Sequence, residues 1–329
     1  MSQYNHITQE EREEIFFFAV KGFSVTQIAE KLGRNKSTVS RELKRNTFNN
    51  RYSPLEAQRA YESRRQKCRP KPKILKDYGL FLKIVDRFIS DQWSPEQIAA
   101  RLKLEGYEDA VSYSTIYRAI YNGYFEEYRN PLRGGWQGKK NLRRKGKKAK
   151  KTNGPRGRFP VSNHISERPD EANNRERIGD WEGDTVLGKR KRSSCLATYV
   201  DRKCRFLCCT KVAARDAENV NAATLRCLGD HPVKTITVDR GSEFKRHHKV
   251  TSVLGAEYYF PDPYSPWQRG TNENTNGLLR EYFPKGTDFD NISEKEIQKV
   301  VEKLNHRPRK CLGYRTPYEM FFGVVLHLV

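Results

Sequence analysis

The chain has 329 residues, and its 63 Lys and Arg exceed its 40 Asp and Glu by a net charge of +23. Residues 1–166 carry 35 basic and 17 acidic side chains, whereas residues 167–329 carry 28 and 23, so the first half is expected to contact a polyanion. Seven cysteines without a CxxC pair argue against a disulfide framework or a structural zinc site, and no apolar run is long enough for a membrane span. We therefore expect a cytoplasmic protein.

Residues 7–46 predict three helices. Thr8, Ser24 and Ser37 can cap the first, second and third helix, and the third is expected over Thr38–Lys44. A helix, a short Gly-containing turn and a second helix rich in Ser, Thr, Arg and Lys are typical of a helix-turn-helix domain. The alternative is a three-helix bundle with a basic face. The residues expected to contact DNA are Arg34, Lys36, Ser37, Thr38, Arg41 and Lys44.

A weaker copy of this pattern follows. The Ser-x-x-Gln-Ile-Ala sequence that begins at Ser24 recurs at Ser94, and Ser37-Thr38 recurs as Ser114-Thr115. We interpret residues 80–125 as a second helix-turn-helix-like domain, joined to a first domain of residues 1–50 by a basic helical linker over 51–79. A helical spacer without DNA contacts is the alternative. The candidate DNA-binding residues of the copy are Ser114, Thr115 and Arg118.

The segment 126–170 has the composition of a linker. No acidic residue occurs between Tyr128 and Ser166, and the stretch 139–151 is dominated by Lys and Arg. Such a run cannot bury itself, so it predicts a disordered linker that contacts phosphates without reading bases. Lys147 and Lys148 are the candidate DNA-binding residues of this run.

Residues 171–329 predict a mixed α/β domain. Short apolar or alternating runs predict strands, and longer periodic segments predict helices. This order implies a mixed sheet covered by helices. The expected strands are 185–187, 195–200, 206–212, 234–238 and 257–260, and the expected helices are 215–228, 272–282 and 293–305.

Three carboxylates in this domain are candidates for metal chemistry. Asp184 lies in or beside the first strand, Asp239 ends a later strand, and Glu273 begins a helix. Carboxylates that converge can hold two Mg²⁺ ions, which can drive phosphodiester cleavage and transfer. Periodicity does not choose Asp184 over its neighbours, and a helix start or a turn would also explain Glu273 or Asp239. The rivals of Asp184 are Asp180, Glu182 and Asp201.

Four motifs carry a resemblance to a known family. Residues 178–184 are Ile-Gly-Asp-Trp-Glu-Gly-Asp, and residues 237–244 are Thr-Val-Asp-Arg-Gly-Ser-Glu-Phe. Residues 263–280 are Pro-Tyr-Ser-Pro-Trp-Gln-Arg-Gly-Thr-Asn-Glu-Asn-Thr-Asn-Gly-Leu-Leu-Arg. With residues 304–314 and the N-terminal helix-turn-helix, they resemble the IS30 family of bacterial insertion-sequence transposases, within the DDE transposase and retroviral-integrase superfamily. The resemblance covers nearly the whole chain.

The resemblance implies an RNase H-like catalytic core in which Asp184, Asp239 and Glu273 are catalytic and bind two Mg²⁺ ions, with Mn²⁺ as a substitute. The 33 residues between Asp239 and Glu273 match the spacing of the family. Arg280, two helical turns after Glu273, is implied to contact DNA. Two departures stand out: Arg240 replaces the usual Asn after the second Asp, and Asp180 replaces a frequent His.

The implied function is that of a transposase. It would bind the terminal inverted repeats of its element, cut DNA and transfer strands to target DNA, as a homodimer or larger assembly, without a small-molecule substrate. A bacterial, nucleoid-associated protein is expected. Two alternatives stay open: a DNA-binding regulator whose catalytic core has decayed, which Arg240 favours, and a sequence-independent nuclease of RNase H type, which the helix-turn-helix disfavours.

Overall fold

The computed structural model describes residues 5–48, 51–68, 72–128, 163–189, 194–262 and 265–329. The chain forms two compact units, Met1–Pro72 and Lys73–Val329. Most of the predicted basic linker, with Lys147 and Lys148, lies outside the described residues. Among the described residues no helix is both long and apolar enough to cross a membrane.

The first unit is helical, and its first helices begin where capping chemistry predicts. Capping boxes at Thr8 and Ser24 start the first two helices. The prediction that Ser37 caps the third helix is wrong: Asn35 is the N-cap, and its side chain accepts the amide of Ser37 at 2.9 Å. The elements are α1 (Gln9–Val20), α2 (Val25–Lys31), α3 (Lys36–Asn46), β1 (Thr47–Phe48), β2 (Arg51–Tyr52) and α4 (Pro54–Lys67).

The segment after residue 50 packs into the first unit. Tyr52 and Ala57 are buried in the same apolar cluster as Ile15 and Val39, and α4 packs against α1 and α3. A buried guanidinium, Arg12, donates to Glu42 at 2.8 Å and to the side-chain oxygen of Gln58 on α4. Residues 51–67 therefore complete the core of the helix-turn-helix unit, although a linker was expected there.

A helical module, residues 73–128, opens the second unit. Its helices are α5 (Tyr78–Ile89), α6 (Pro95–Leu104) and α7 (Tyr113–Tyr121). Ser94 forms the capping box of α6, and Ser112 is the N-cap of α7. Ser114 lies two residues after its cap, as Ser37 does after Asn35, so the repeated pattern in the sequence corresponds to equivalent helix positions.

The predicted mixed sheet is confirmed. Its strand order is β5-β4-β3-β6-β7, with antiparallel pairing among β3, β4 and β5 and parallel pairing of β3 with β6 and of β6 with β7. The first strand begins at Asp180 rather than Thr185, because Asp180 and Glu182 are buried and hydrogen-bonded. The strands are β3 (Asp180–Leu187), β4 (Cys195–Asp201), β5 (Leu207–Val212), β6 (Thr235–Thr237) and β7 (Glu257–Tyr259).

Helices cover both faces of this sheet. Along the buried strand β4, Ala197 and Tyr199 belong to one apolar cluster, and Leu196 and Val200 belong to another. The first cluster includes residues of α9, α10 and α13, and the second includes residues of α11 and α12. The helices are α8 (Asp170–Asn174), α9 (Ala217–Leu228), α10 (His248–Leu254), α11 (Gly270–Tyr282), α12 (Glu294–Asn305) and α13 (Pro317–Phe322).

The helical module packs on the end of the chain. Arg101 of α6 donates to both carboxylate oxygens of Glu319 on α13, at 2.7 and 2.8 Å. Glu105 accepts the backbone amides of Leu328 and Val329, and both of these side chains pack against the core of the module. The module and the sheet therefore belong to one compact unit.

Candidate active site

Asp184 lies on β3 where the strand meets α11. Its Oδ1 accepts the amide of Thr185 at 2.9 Å, and its Oδ2 accepts the side-chain amide of Asn276 on α11 at 3.0 Å. Burial raises the pKa of Asp184, the nearby Arg269 opposes this shift, and Asp239 adds to it. A cation beside Asp184 stabilises its ionised form, as Arg269 does.

Asp239 follows β6, the parallel neighbour of β3, by two residues. Its Oδ1 accepts the amide of Gly241 at 2.9 Å, which closes a tight turn. A Cβ at Gly241 would lie 2.7 Å from this oxygen and would overlap with the carboxylate of Glu243. A side chain at position 241 would therefore push the carboxylates of Asp239 and Glu243 out of place, and the turn as it stands fixes the direction of the Asp239 carboxylate.

Arg269 joins the two aspartates. Its guanidinium nitrogens lie 3.9 Å from Asp184 Oδ1 and 3.6 Å from Asp239 Oδ2. It also donates to the carbonyl oxygen of Gly183 at 3.1 Å, and its side chain is only 14% exposed. The motif that contains Arg269 was recognised in the sequence, but this residue was not predicted as part of the site.

Glu273 stands apart from this pair. It is an exposed residue in the first turn of α11, three positions before Asn276, whose side chain binds Asp184. In the described residues, no group of three or more His, Cys, Asp or Glu is placed to hold a metal ion. The structure thus brings Asp184 and Asp239 together but does not gather Glu273 with them.

A divalent cation fits the pair of aspartates but not a set of three carboxylates. Both aspartates offer oxygen atoms, the ligands preferred by Mg²⁺, and a guanidinium already stands in as the cation between them. The third ligand expected from the sequence is exposed on the adjacent helix.

Comparisons with known proteins show which family this chain is similar to. Residues 3–46 match the family model of a helix-turn-helix domain, and residues 174–266 match that of an integrase core domain. The transposase for insertion sequence element IS4351 of Bacteroides fragilis is 39% identical over 97% of this chain and 96% of its own length. The transposase InsI for insertion sequence element IS30A of Escherichia coli K12 is 38% identical over 96% of this chain and 83% of its own length.

The chain belongs to the IS30 family of insertion-sequence transposases. Within it, a helix-turn-helix region precedes a mixed α/β core of the integrase type. Among solved structures, the catalytic core domain of BIV integrase is 20% identical to this transposase, with a TM-score of 0.36, and the match covers 44% of this chain and 93% of that one.

Glu182 binds the start of α11 to β3 in this transposase. One of its carboxylate oxygens accepts the amide of Asn272 at 2.9 Å, and the side chain of Asn272 returns a hydrogen bond to the carbonyl of Glu182 at 3.1 Å. The other oxygen accepts from the buried guanidinium of Arg202. Glu182 is fully buried. Its two hydrogen bonds with Asn272 position the helix that carries Glu273 beside the strand that carries Asp184.

The other two alternative candidates to Asp184, which are Asp180 and Asp201, accept hydrogen bonds from groups of the protein. Asp180 accepts the hydroxyl of Thr235 at 2.8 Å and is fully buried. Asp201 accepts the backbone amides of Gly179 and Cys204, both at 2.8 Å, and closes the turn after β4. These side chains build the fold around the site.

Glu243 is a buried acid of the site that the sequence did not predict. Its Oε1 accepts the hydroxyl of Thr185 at 3.0 Å and the guanidinium of Arg215 at 2.8 Å. Its Oε2 has no hydrogen-bond partner within the part of the chain that the structure describes. Glu243 is 2% exposed, and its carboxylate also raises the pKa of Asp184.

Arg280 holds the end of α11. Its guanidinium donates to the carbonyl of Leu187 at 2.8 Å and to those of Phe283 and Pro284 at 3.4 Å. Burial lowers the pKa of Arg280. The residue expected to contact DNA therefore fastens the helix to the end of β3 in this structure.

The candidate DNA-binding residues of the first unit lie on one helix and the turn before it. Lys36, Ser37, Arg41 and Lys44 are exposed on α3, and Thr38 is half-buried. Arg34 donates to Glu11 of α1 at 2.7 Å, so it helps to position the turn. α3 thus presents a basic and hydroxyl-rich surface.

In the helical module the corresponding residues surround the cap of α7. Ser114 and Arg118 are exposed, and Thr115 is half-buried. The hydroxyl of Ser112 lies 2.9 Å from that of Ser114 and 3.0 Å from that of Thr115. The two hydroxyls therefore also contribute to the helix start.

Proposed function

We propose that this transposase binds the terminal inverted repeats of its element and catalyses metal-dependent DNA cleavage followed by strand transfer. The observation that carries the proposal is the convergence of Asp184 and Asp239 on one cation, at 3.9 and 3.6 Å. Two carboxylates on neighbouring parallel strands, Asp184 within β3 and Asp239 just after β6, suit phosphodiester chemistry in a chain with a net charge of +23.

The chain's own residues prepare this chemistry. Asn276 orients Asp184, and the turn at Gly241 orients Asp239, so that both carboxylates are fixed before DNA arrives. Asp184 and Asp239 would hold Mg²⁺, or Mn²⁺ in its place, with Glu273 as the third catalytic carboxylate and a second ion in the complete site. When bound, the metal supplies water activation and stabilises charge on the reacting phosphate.

DNA recognition is assigned to the helical parts of the chain. The exposed face of α3 is proposed to enter the major groove, because its Lys36, Arg41 and Lys44 can contact phosphates and base edges. Ser114, Thr115 and Arg118 of the helical module and the basic segment 126–170 are proposed to extend the contact. Because two element ends must be joined, a homodimer or larger assembly is proposed.

A DNA-binding regulator is the second candidate. The observation that favours it is the position of Glu273, which the described structure does not gather with the two aspartates. Such a protein would bind the inverted repeat but would not cut it.

One experiment separates the two functions. A labelled duplex with the element's own end is incubated with wild type, Asp239→Asn and the control Glu218→Gln, whose carboxylate is exposed and binds Arg246. We expect cleavage and joining with Mg²⁺ by wild type and Glu218→Gln and none by Asp239→Asn. Specific binding without cleavage by any variant, with Mg²⁺ or Mn²⁺, would establish the regulator.

A further inference from the structure

Arg269 occupies the place between the two aspartates of the candidate site. Among ion pairs of the described residues, it is the cation paired with Asp184 and with Asp239, and separate guanidinium nitrogens face the two carboxylates. A third contact, to the carbonyl of Gly183, fixes the guanidinium against β3. With 14% exposure, this cation is largely withdrawn from water.

A guanidinium and a divalent ion cannot both use these carboxylates in this arrangement. A bound Mg²⁺ takes ligand oxygens at about 2.1 Å and surrounds itself with about six of them. The nitrogens of Arg269 stand 3.6 and 3.9 Å from the oxygens that such an ion would need. Two cations this close would also repel each other strongly, because the site is partly buried.

The position of Arg269 in the chain allows the side chain to leave while the site remains built. Arg269 is the last residue of a short 3-10 helix and the N-cap residue of α11, and it makes no side-chain cap hydrogen bond. The helix itself is held to β3 by the Glu182–Asn272 and Asn276–Asp184 contacts. Displacing the guanidinium therefore breaks none of these contacts.

We propose that Arg269 is the resident cation of the metal-free site, which must leave Asp184 and Asp239 before a divalent ion binds. A DNA phosphate is the anion that receives the released guanidinium, so DNA and metal bind cooperatively through Arg269. Arg269 is then a positioning residue that sets the metal affinity of the site. This inference rests on the proposed metal-dependent function.

The first test measures Mn²⁺ binding to the full chain without DNA, by calorimetry and by the electron paramagnetic resonance signal of free Mn²⁺. Arg269→Gln removes the charge and is expected to bind Mn²⁺ roughly tenfold more tightly than wild type. Arg269→Lys keeps the charge and should stay near wild type. Arg246→Gln, a control that removes an exposed arginine paired with Glu218, should also leave the affinity unchanged.

The outcomes distinguish this inference from the proposed function. Equal Mn²⁺ affinity of wild type and Arg269→Gln would overturn the role of Arg269 and leave metal-dependent catalysis intact. If none of the variants bound Mn²⁺, either alone or with a duplex carrying the element's end, the proposed function would fail, and this inference would fail with it.

A second test addresses the coupling to DNA and the folding of the variant. A duplex carrying the element's end should raise the Mn²⁺ affinity of wild type and leave that of Arg269→Gln nearly unchanged. An equal rise in both would refute transfer of the guanidinium to a phosphate. In metal-free buffer Arg269→Gln should melt at a lower temperature, and Mn²⁺ should raise that temperature more than it does for wild type. An equal rise would count against competition between Arg269 and the metal.

Discussion

Replacing Glu319 by Gln should destabilise the second unit, because it removes the charge that balances a buried guanidinium. Arg101 and Glu319 are 1% and 2% exposed and are joined by two hydrogen bonds of 2.7 and 2.8 Å. Burial raises the pKa of Glu319, but the hydrogen bonds from Arg101 and from two backbone amides outweigh it and lower the pKa from 4.5 to about 2. A shift of this size corresponds to about 3 kcal/mol of stability.

The pH dependence follows from the sign of the shift. Since the pKa of Glu319 is lower in the folded state, its contribution is fully present above pH 4.5 and is lost as the pH falls towards 2. The difference in unfolding free energy between wild type and Glu319→Gln should therefore be about 3 kcal/mol at pH 7 and about 1.5 kcal/mol at pH 3. Glu105 still binds Arg101 in the variant, so the guanidinium keeps one partner.

Urea unfolding followed by tryptophan fluorescence measures this difference. Trp93 lies in the core of the helical module and Trp181 in the core beneath the sheet, and both are buried. The control Glu218→Gln changes an exposed carboxylate and should leave the midpoint unchanged. A Glu319→Gln midpoint equal to that of wild type at pH 7, or a difference that does not shrink at pH 3, would refute the reasoning.

Three further predictions concern the site and the DNA surface. Gly241→Ala should abolish strand cleavage, because the added Cβ would lie 2.7 Å from the Asp239 carboxylate. The control Gly270→Ala, whose Cβ would have no atom within 4 Å, should retain activity. A cleavage assay on the two variants tests this difference. Glu182→Gln should lower the free energy of unfolding by about 3 kcal/mol in urea, because it leaves a buried guanidinium without its charged partner. Arg41→Gln should weaken binding to the inverted repeat roughly tenfold and reduce its salt dependence, as measured by fluorescence anisotropy at several salt concentrations.

Helix starts were predictable where local chemistry alone decides them. Thr8, Ser24 and Ser94 form their capping boxes with a Glu or Gln three residues later, a relation visible in the sequence. The third helix was placed too late because Asn35 and Ser37 are both good caps, and only the backbone geometry shows that Asn35 takes the role.

The start of β3 could not be predicted locally, because its charged residues have hydrogen-bond partners far away in the sequence. Charged residues at 180 and 182 argue against a buried strand unless each finds a donor. Asp180 finds Thr235, and Glu182 finds Asn272, which lie 55 and 90 residues further along. Such pairing is set by the fold and is not visible in a local pattern.

The site was only partly predictable for a similar reason. Asp184 and Asp239 could be chosen from family motifs, and the parallel pairing of β3 with β6 brings them together. Arg269 was missed because its role depends on contacts with residues far away in the sequence. Its guanidinium contacts Gly183, which lies 86 residues earlier in the chain. The resemblance placed Glu273 in the catalytic set, but a motif does not specify the direction in which its side chain points.

The contacts between α6 and residues 328 and 329 affect the order in which the chain can fold during its synthesis. Glu105 binds the amide of Leu328, 223 positions later, so the helical module cannot complete its packing while the ribosome is still translating the catalytic core. At 5–20 residues per second this interval lasts about 10 to 45 s. Among the described residues, the apolar cluster of the helix-turn-helix unit consists of side chains from the first 72 residues. A nascent chain would therefore acquire its α3 surface well before the rest of the protein is assembled.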